Sequence, residues 1–332
     1  MKKLLLIFTV ILVGLFVLLS VFAPKNNYAA KKQLWKINQK FKNLVKETQT
    51  VPEKKVDQII LRYQKFIQKF PKSPLRIQAH FFLGDAYIFK EDNIMARQKF
   101  EEIIQEFSDH PDIIENAMLR IVTTFTQERT VVGGYMRQKK IKEDFEELYD
   151  ESLFNRQTIK KMITTRYKEE NFKGILDIYQ RALKNHPTTS LGLKAPLLIA
   201  RLYYDQDQMK EAKKFLKKAI QYYPKFSQQH KNTIIDLQSQ ELLVTGYLAQ
   251  KKFPLAVETL GNILIQFAEA PFLTLTKGMA VVKTINMISI DKINDPTLPI
   301  TIYQKFILTY PKHNFVDFFE KVIINLQNLH IQ

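Results

Sequence analysis

Apolar residues recur three and four positions apart along most of the chain after Lys31, with polar residues between them. That period is helical, and no run alternates apolar and polar residues for long, so the pattern predicts helices and no sheet. The clearest pair lies between Ala79 and Phe107, AHFFLGDAYIFKEDNIMARQKFEEIIQEF. Leu83 and Tyr87 mark the inner face of a first helix and Phe100 that of a second, joined by the turn Lys90-Glu91-Asp92-Asn93. Gly84 and Ala96 stand where two antiparallel helices approach closely, so neither position accepts bulk.

Weaker copies of this pair surround it. Trp35, Ile37, Phe41, Leu44 and Val45 predict a first amphipathic helix that ends near Thr48-Gln49-Thr50, with Pro52 suited to the first turn of the next. Ile59, Tyr63, Phe66 and Ile67 lead from there to Phe70-Pro71. Beyond Pro111 comes a helix with Ala117, Leu119 and Ile121, then an interruption at Val131-Val132-Gly133-Gly134 and a helix carrying Phe145, Leu148 and Phe154. Ile163, Tyr167, Ile175, Tyr179, Ala182 and Pro187 predict a further pair with a shortened turn. Ile199-Ala200, Tyr203, Ala212, Leu216, Ala219 and Pro224 form the next, and Leu243, Tyr247, Ala256, Leu260 and Ile263 the one after. A last pair shows Tyr303, Phe306 and Tyr310-Pro311, with Pro299 where a small residue belongs.

The segment Asn314 to Leu329 reads as a closing helix, since a repeat array covers its final face with a helix that is polar outside. Phe315, Phe318, Val322 and Leu326 make one stripe on it, and Phe319, Ile323 and Ile324 widen the stripe beyond what one preceding hairpin buries. Phe319 and Ile323 are therefore expected to stay partly exposed and to mark a self-association or partner contact.

Leu4 to Ala23 is an uninterrupted apolar run after Met1-Lys2-Lys3. About 20 such residues span a bilayer core, and Pro24 hinders cleavage after Ala23, so the run predicts an uncleaved signal anchor. Lys25, Lys31, Lys32, Lys36, Lys40, Lys42 and Lys46 follow it and argue for a body on the cytoplasmic side. The two-lysine start argues for the opposite side and is preferred here. The expected organisation is an anchor over 1–24, a linker over 25–30, an array of about six or seven helix pairs over 31–312 and a capping helix over 313–332. The expected location is the cytoplasmic (inner) membrane, single-pass, with the repeats on the periplasmic, extracytoplasmic side.

The spacing L-G-x2-Y…A-x3-F at Leu83, Gly84, Tyr87, Ala96 and Phe100 resembles the tetratricopeptide repeat, whose period is about 34 residues. The resemblance implies an all-α fold, a right-handed α-solenoid of helix hairpins, here preceded by one N-terminal transmembrane helix. It further implies a concave face, lined by the first helix of each pair, that binds peptide or protein. The segment FPKSP at residues 70–74 and the start Ala-x-Phe-x-Leu-Gly-Asp-Ala-Tyr resemble the bacterial envelope branch of that family, which includes the outer-membrane-assembly lipoprotein and periplasmic coordinators of wall and membrane growth. Positions expected to face the groove are Phe81, Asp85 and Phe89, then Lys161 and Thr165, then Arg201 and Tyr204.

Composition narrows the chemistry. With 45% apolar and 25% charged residues over 332 positions, the chain is of the folded class. It has no cysteine, which excludes disulfides, thiolate metal sites, a cysteine nucleophile and a lipoprotein attachment site. The six histidines form no metal-binding pair, Gly133-Gly134 lacks the flanking residues of a phosphate loop, and the carboxylates Glu143-Asp144, Glu146-Glu147 and Asp150-Glu151 alternate with lysines as on a solvated helix face. Neither a catalytic set, nor a metal, nor a cofactor is expected. The reading is a membrane-anchored, non-enzymatic adaptor for a protein or peptide partner in the cell envelope. The net charge of +17 keeps an alternative open, a basic protein that binds polyanions such as glycan, anionic lipid or nucleic acid. Nucleic acid is the disfavoured member of that set, because lysine greatly outnumbers arginine and no glycine-aromatic RNA motif accompanies the basic runs.

Overall fold

The computed structural model describes residues 27–46, 53–130 and 156–330, and among these the regular structure is helical with no strand. The helices are α1 (Asn27–Lys46), α2 (Glu53–Lys69), α3 (Leu75–Phe89), α4 (Asn93–Glu106), α5 (Pro111–Thr130), α6 (Arg156–Asn185), α7 (Ser190–Tyr204), α8 (Met209–Gln229), α9 (Ile234–Ala249), α10 (Phe253–Gln266), α11 (Leu275–Ile288), α12 (Thr297–Thr309) and α13 (Val316–His330). Contacts divide the chain into two compact units, one ending at Ile178 and the other beginning at Tyr179, and the division falls inside α6. From α1 to α5 in the first unit and from α7 to α11 in the second, helices adjacent in sequence pack on one another, which is the solenoid arrangement of stacked hairpins.

The hairpin turns repeat one design. α3, α7 and α9 each end with a residue in the left-handed region, Glu91 (φ 65°), Asp207 (φ 59°) and Lys251 (φ 57°). In each, the next residue donates its N–H back to a tyrosine carbonyl: Asp92 to Tyr87 at 2.9 Å, Gln208 to Tyr203 at 3.0 Å and Lys252 to Tyr247 at 2.9 Å. The left-handed residue itself donates to the carbonyl one position later, Ile88, Tyr204 and Leu248, completing the paired bonds of a Schellman end. The second helix then starts in register, so that Ala96, Ala212 and Ala256 are all buried against the first.

Three buried tyrosines tie hairpin partners together across the seam. Tyr63 of α2 donates its hydroxyl to Asn38 Oδ1 of α1 at 2.8 Å, and Tyr223 of α8 to the Leu193 carbonyl of α7 at 3.1 Å. Tyr303 of α12 donates to Asn286 Oδ1 of α11 at 2.7 Å. A phenol thus fills apolar volume while its one polar atom is satisfied, which is the condition for burying it.

The close-approach reading of the best pair holds: Leu83, Gly84, Tyr87, Ala96 and Phe100 are all buried, and a Cβ on Gly84 would overlap the Phe100 ring. Other expectations need correction. The pair expected between Ile163 and Pro187 is instead the single helix α6, because no residue between Tyr167 and Ile175 takes the left-handed conformation that the three turns above use. Asn171 there donates to the Phe125 carbonyl at 3.2 Å and Gly174 makes room for the Phe125 ring, so that stretch packs on α5 without turning back. Trp35 and Val45 on α1 and Leu119 on α5 are exposed rather than inward.

Phe319 and Ile323 are corrected as well. Phe319 is 0% exposed and Ile323 is 9%, because α13 packs into an aromatic nest rather than resting on one face of a hairpin. The Phe319 ring stacks on Tyr303 with centroids 4.8 Å apart and meets Phe306 edge-on, also at 4.8 Å. His313 fixes the approach of α13: its Nε2 lies 3.1 Å from the Ala268 carbonyl and its Nδ1 accepts the Phe315 N–H at 3.1 Å. The two residues therefore offer no contact to a second copy.

The single-pass location in the inner membrane is likewise corrected: no helix among the described residues is long and apolar enough to cross a membrane. The run Leu4 to Ala23, which carried that expectation, lies outside the described residues, as do Gly133-Gly134, the carboxylate clusters of Glu143 to Glu151 and the helix expected around Phe145.

His80 gives the first unit a pH dependence. It is buried on α3 beside Glu106, with Nε2 3.6 Å from the nearer carboxylate oxygen, and burial holds its pKa below the ordinary value of 6.5 despite Glu106. A depressed native pKa means that the unfolded chain takes up the proton first, so the stability contributed by neutral His80 is present above pH 6.5 and is lost as pH falls below it. Chemical denaturation at about pH 8 and about pH 5.5 should show a stability difference that shrinks in His80→Leu. An unchanged difference in that variant would remove His80 from the account.

Candidate partner-binding site

Three helices of the first unit, α1, α3 and α5, are the leading members of successive pairs, and side chains from all of them meet in one open groove. Phe41 comes from α1, Asp85, Ile88 and Phe89 from α3, and Arg120 and Thr123 from α5, around a space of about 370 Å³. The helical period explains the α3 set: Leu83, Gly84 and Tyr87 face inward, which turns Asp85, Ile88 and Phe89 to another side at i, i+3, i+4 spacing.

One wall is aromatic. Phe41 and Phe89 meet edge to face at 5.7 Å and 86°, and Phe41 also meets the Tyr63 ring at 6.2 Å and 88°, so α1 is locked onto both helices of the following elements. The other wall is charged. Arg120 pairs with Asp85, and its guanidinium lies over the Phe81 ring, 5.4 Å from the centroid. Burial pushes the Asp85 carboxyl above the usual carboxylate range, and the Arg120 charge and hydrogen bond pull it part of the way back. Arg120 Nε also approaches Asn116 Oδ1 at 3.4 Å. A guanidinium carries five N–H donors, more than these contacts engage. Apolar rings beside a fixed cation suit a peptide that presents a hydrophobic side chain and a carbonyl or carboxylate. The same set lacks a nucleophile paired with a base, and no group of three metal-ligating side chains occurs among the described residues.

Of the positions expected from sequence, Asp85 and Phe89 line this groove, while Phe81 lies under the Arg120 guanidinium and is not part of the lining. Arg201 and Tyr204 stand exposed on α7 in the second unit, where Arg201 faces Asp205 one turn on at 4.0 Å. Lys161 and Thr165 fall on α6, and their side chains lie outside the described residues. Phe41, Ile88, Arg120 and Thr123 were missed by sequence reasoning. Arg120 was findable: it lies 35 positions after Asp85, close to one repeat period of about 34.

In the second unit α7 and α8 bury Ala200, Ala212 and Ala219 along their seam, with Tyr203 stacked on Phe215 at 4.8 Å. This pair matches the tetratricopeptide repeat family over residues 195–226. Residues 195–226 form a tetratricopeptide repeat. The same turn geometry recurs in α3–α4 and α9–α10, outside the matched residues. No curated protein matches the chain. Among solved structures, the assembly chaperone of RpL4 (Acl4), residues 1–338, matches with 10% identity over 91% of this chain and 97% of that one, at a TM-score of 0.24. So low a score carries no argument from that chaperone to this chain. The bacterial envelope branch expected from FPKSP gains no support from these matches.

Proposed function

We propose that the chain is a non-enzymatic scaffold that holds a segment of a partner protein in the groove of α1, α3 and α5. The observation that carries this reading is the convergence of an aromatic wall and a cation, Phe41, Phe89 and Arg120, from three helices far apart in sequence. Burial of apolar rings beside a positioned charged group is how a few side chains supply most of the affinity of a protein interface. The tetratricopeptide repeat at 195–226 supports the class, since stacked hairpins present extended surfaces for protein segments.

A photoreactive amino acid placed at Ile88 or at Thr123 of the full chain in its own cells tests the proposal. Both positions should yield the same discrete adduct, and Phe89→Ala with Arg120→Ala should reduce it by about tenfold or more. The same probe at Leu308, 83% exposed on α12, should yield none of it. Equal adducts from Leu308, or adducts indifferent to Phe89 and Arg120, would reject the groove as the docking site.

A further inference from the structure

α1 is strongly two-sided. One face buries Ala30, Leu34, Ile37 and Leu44, with Phe41 turned to the groove on the same side. The remaining face carries Lys31, Lys32, Lys36, Lys40, Lys42 and Lys46, all exposed, and the helix contains no carboxylate. Lys31, Lys32, Lys36, Lys40 and Lys42 make no ion pair among the described residues.

The first helix of the described array needs a polar outer face for solubility, and lysines supply one. Solubility is served better by mixed signs than by one sign alone, and it does not require rings. Yet Tyr28 is 71% exposed and Trp35 is 60% exposed. Tyr28, Lys32, Trp35, Lys42 and Lys46 follow one another at spacings of three, four and seven residues, which on a helix is a single row roughly 27 Å long. Exposed tryptophan on a helix held so firmly from behind has an apolar area to bury, and none of the described residues covers it.

We propose that this outer face of α1 docks an acidic segment of a partner protein, with Trp35 covered by the segment's apolar side chains and the lysine row paired with its carboxylates. Charge complementarity selects an anionic partner, and tryptophan is the residue type most often found at the energetic centre of a protein interface. A peptide is favoured over a phosphodiester strand because α1 has no arginine, the side chain that forks onto phosphate. The face is separate from the groove, so loss of either leaves the other testable.

Trp35 is the only tryptophan of the chain, so its fluorescence reports this face alone. The full chain is titrated with a synthetic amphipathic peptide that has glutamates on one side and leucines on the other. The emission should shift to the blue and saturate, and affinity should fall by about tenfold in Lys32→Glu with Lys36→Glu. Anisotropy of the labelled peptide should show a comparable loss in Trp35→Ala, while Arg120→Ala, a groove variant, should leave the titration unchanged. The proposal is overturned by an unshifted emission, by charge-reversal variants that bind equally well, or by a larger shift with poly(U) or with phosphatidylglycerol vesicles than with the peptide. Those last two results would assign the face to nucleic acid or to lipid.

Discussion

Phe319→Ala lowers the stability of the chain by about 3–5 kcal/mol, the range for deleting a large aromatic from a closed core. The ring is fully buried and contacts Tyr303, Phe306 and Phe315, with centroid distances of 4.8, 4.8 and 5.9 Å. Its removal leaves a cavity whose walls belong to α12 and α13 and which neither helix can fill without breaking the bonds made by His313. Melting followed by circular dichroism at the helical band measures the loss. Ile324→Lys is the control, because Ile324 is 56% exposed on the same helix and its replacement should change stability by no more than about 0.5 kcal/mol. Equal melting of the two variants would restore Phe319 to the surface.

Gly192→Ala should cost about 3 kcal/mol, at the upper end for overpacking, although alanine is the better helix former by about 1 kcal/mol. A Cβ there would overlap the His186 carbonyl oxygen and lie 2.9 Å from the Ala182 carbonyl oxygen. Both obstacles are main chain. The His186 carbonyl accepts the Thr189 hydroxyl at 2.9 Å, and Thr189 in turn accepts the Gly192 N–H at 3.1 Å, so the end of α6 and the start of α7 share one set of bonds. Gly246→Ala offers the contrast. Its Cβ would meet the Ile220 side chain at 2.9 Å, and a side chain can swing aside. Denaturation of both variants should therefore separate them by about 2 kcal/mol, and indistinguishable midpoints would mean that the α6–α7 join is looser than described.

The hairpins were legible wherever the signature residues are the packing residues. Gly84 under Phe100 is the clearest case, since the physical need for a missing Cβ and the sequence signal are the same atom. The expected turn near Tyr167 failed because helix-period apolar residues recur on both sides of a turn and equally along an uninterrupted helix. What distinguishes them is the left-handed residue, and in the three turns with the shared design that residue is Glu91, Asp207 or Lys251, of which only the aspartate is a type that sequence marks as a turn former. The closing helix was located well, Asn314 to Leu329 against Val316–His330, but its apolar circumference was misread. Counting stripes assumes burial against one hairpin, whereas the approach angle set by His313 encloses Phe319 from three sides. Of the groove residues, Asp85 and Phe89 were readable from α3; Arg120, one repeat period further on, was passed over because the third pair keeps too few signature residues to carry the register forward.

The tyrosine ties across the hairpin seams set an alkaline limit on the array. Burial raises the phenols of Tyr63, Tyr223 and Tyr303 well above the ordinary 10.0, with a minor further push on Tyr63 from Asp85 and on Tyr223 from Tyr222, while a backbone hydrogen bond draws Tyr223 partly back. A native pKa above the unfolded one places the stabilisation below pH 10.0 and withdraws it as pH climbs past that value, because the unfolded phenol gives up its proton first. These three groups ionise only when their own hairpin opens. Tyrosinate absorbance from them should therefore appear together with the loss of helix. With one such group in the first unit and two in the second, base should melt the array hairpin by hairpin, so that each absorbance step counts the pairs that have come apart.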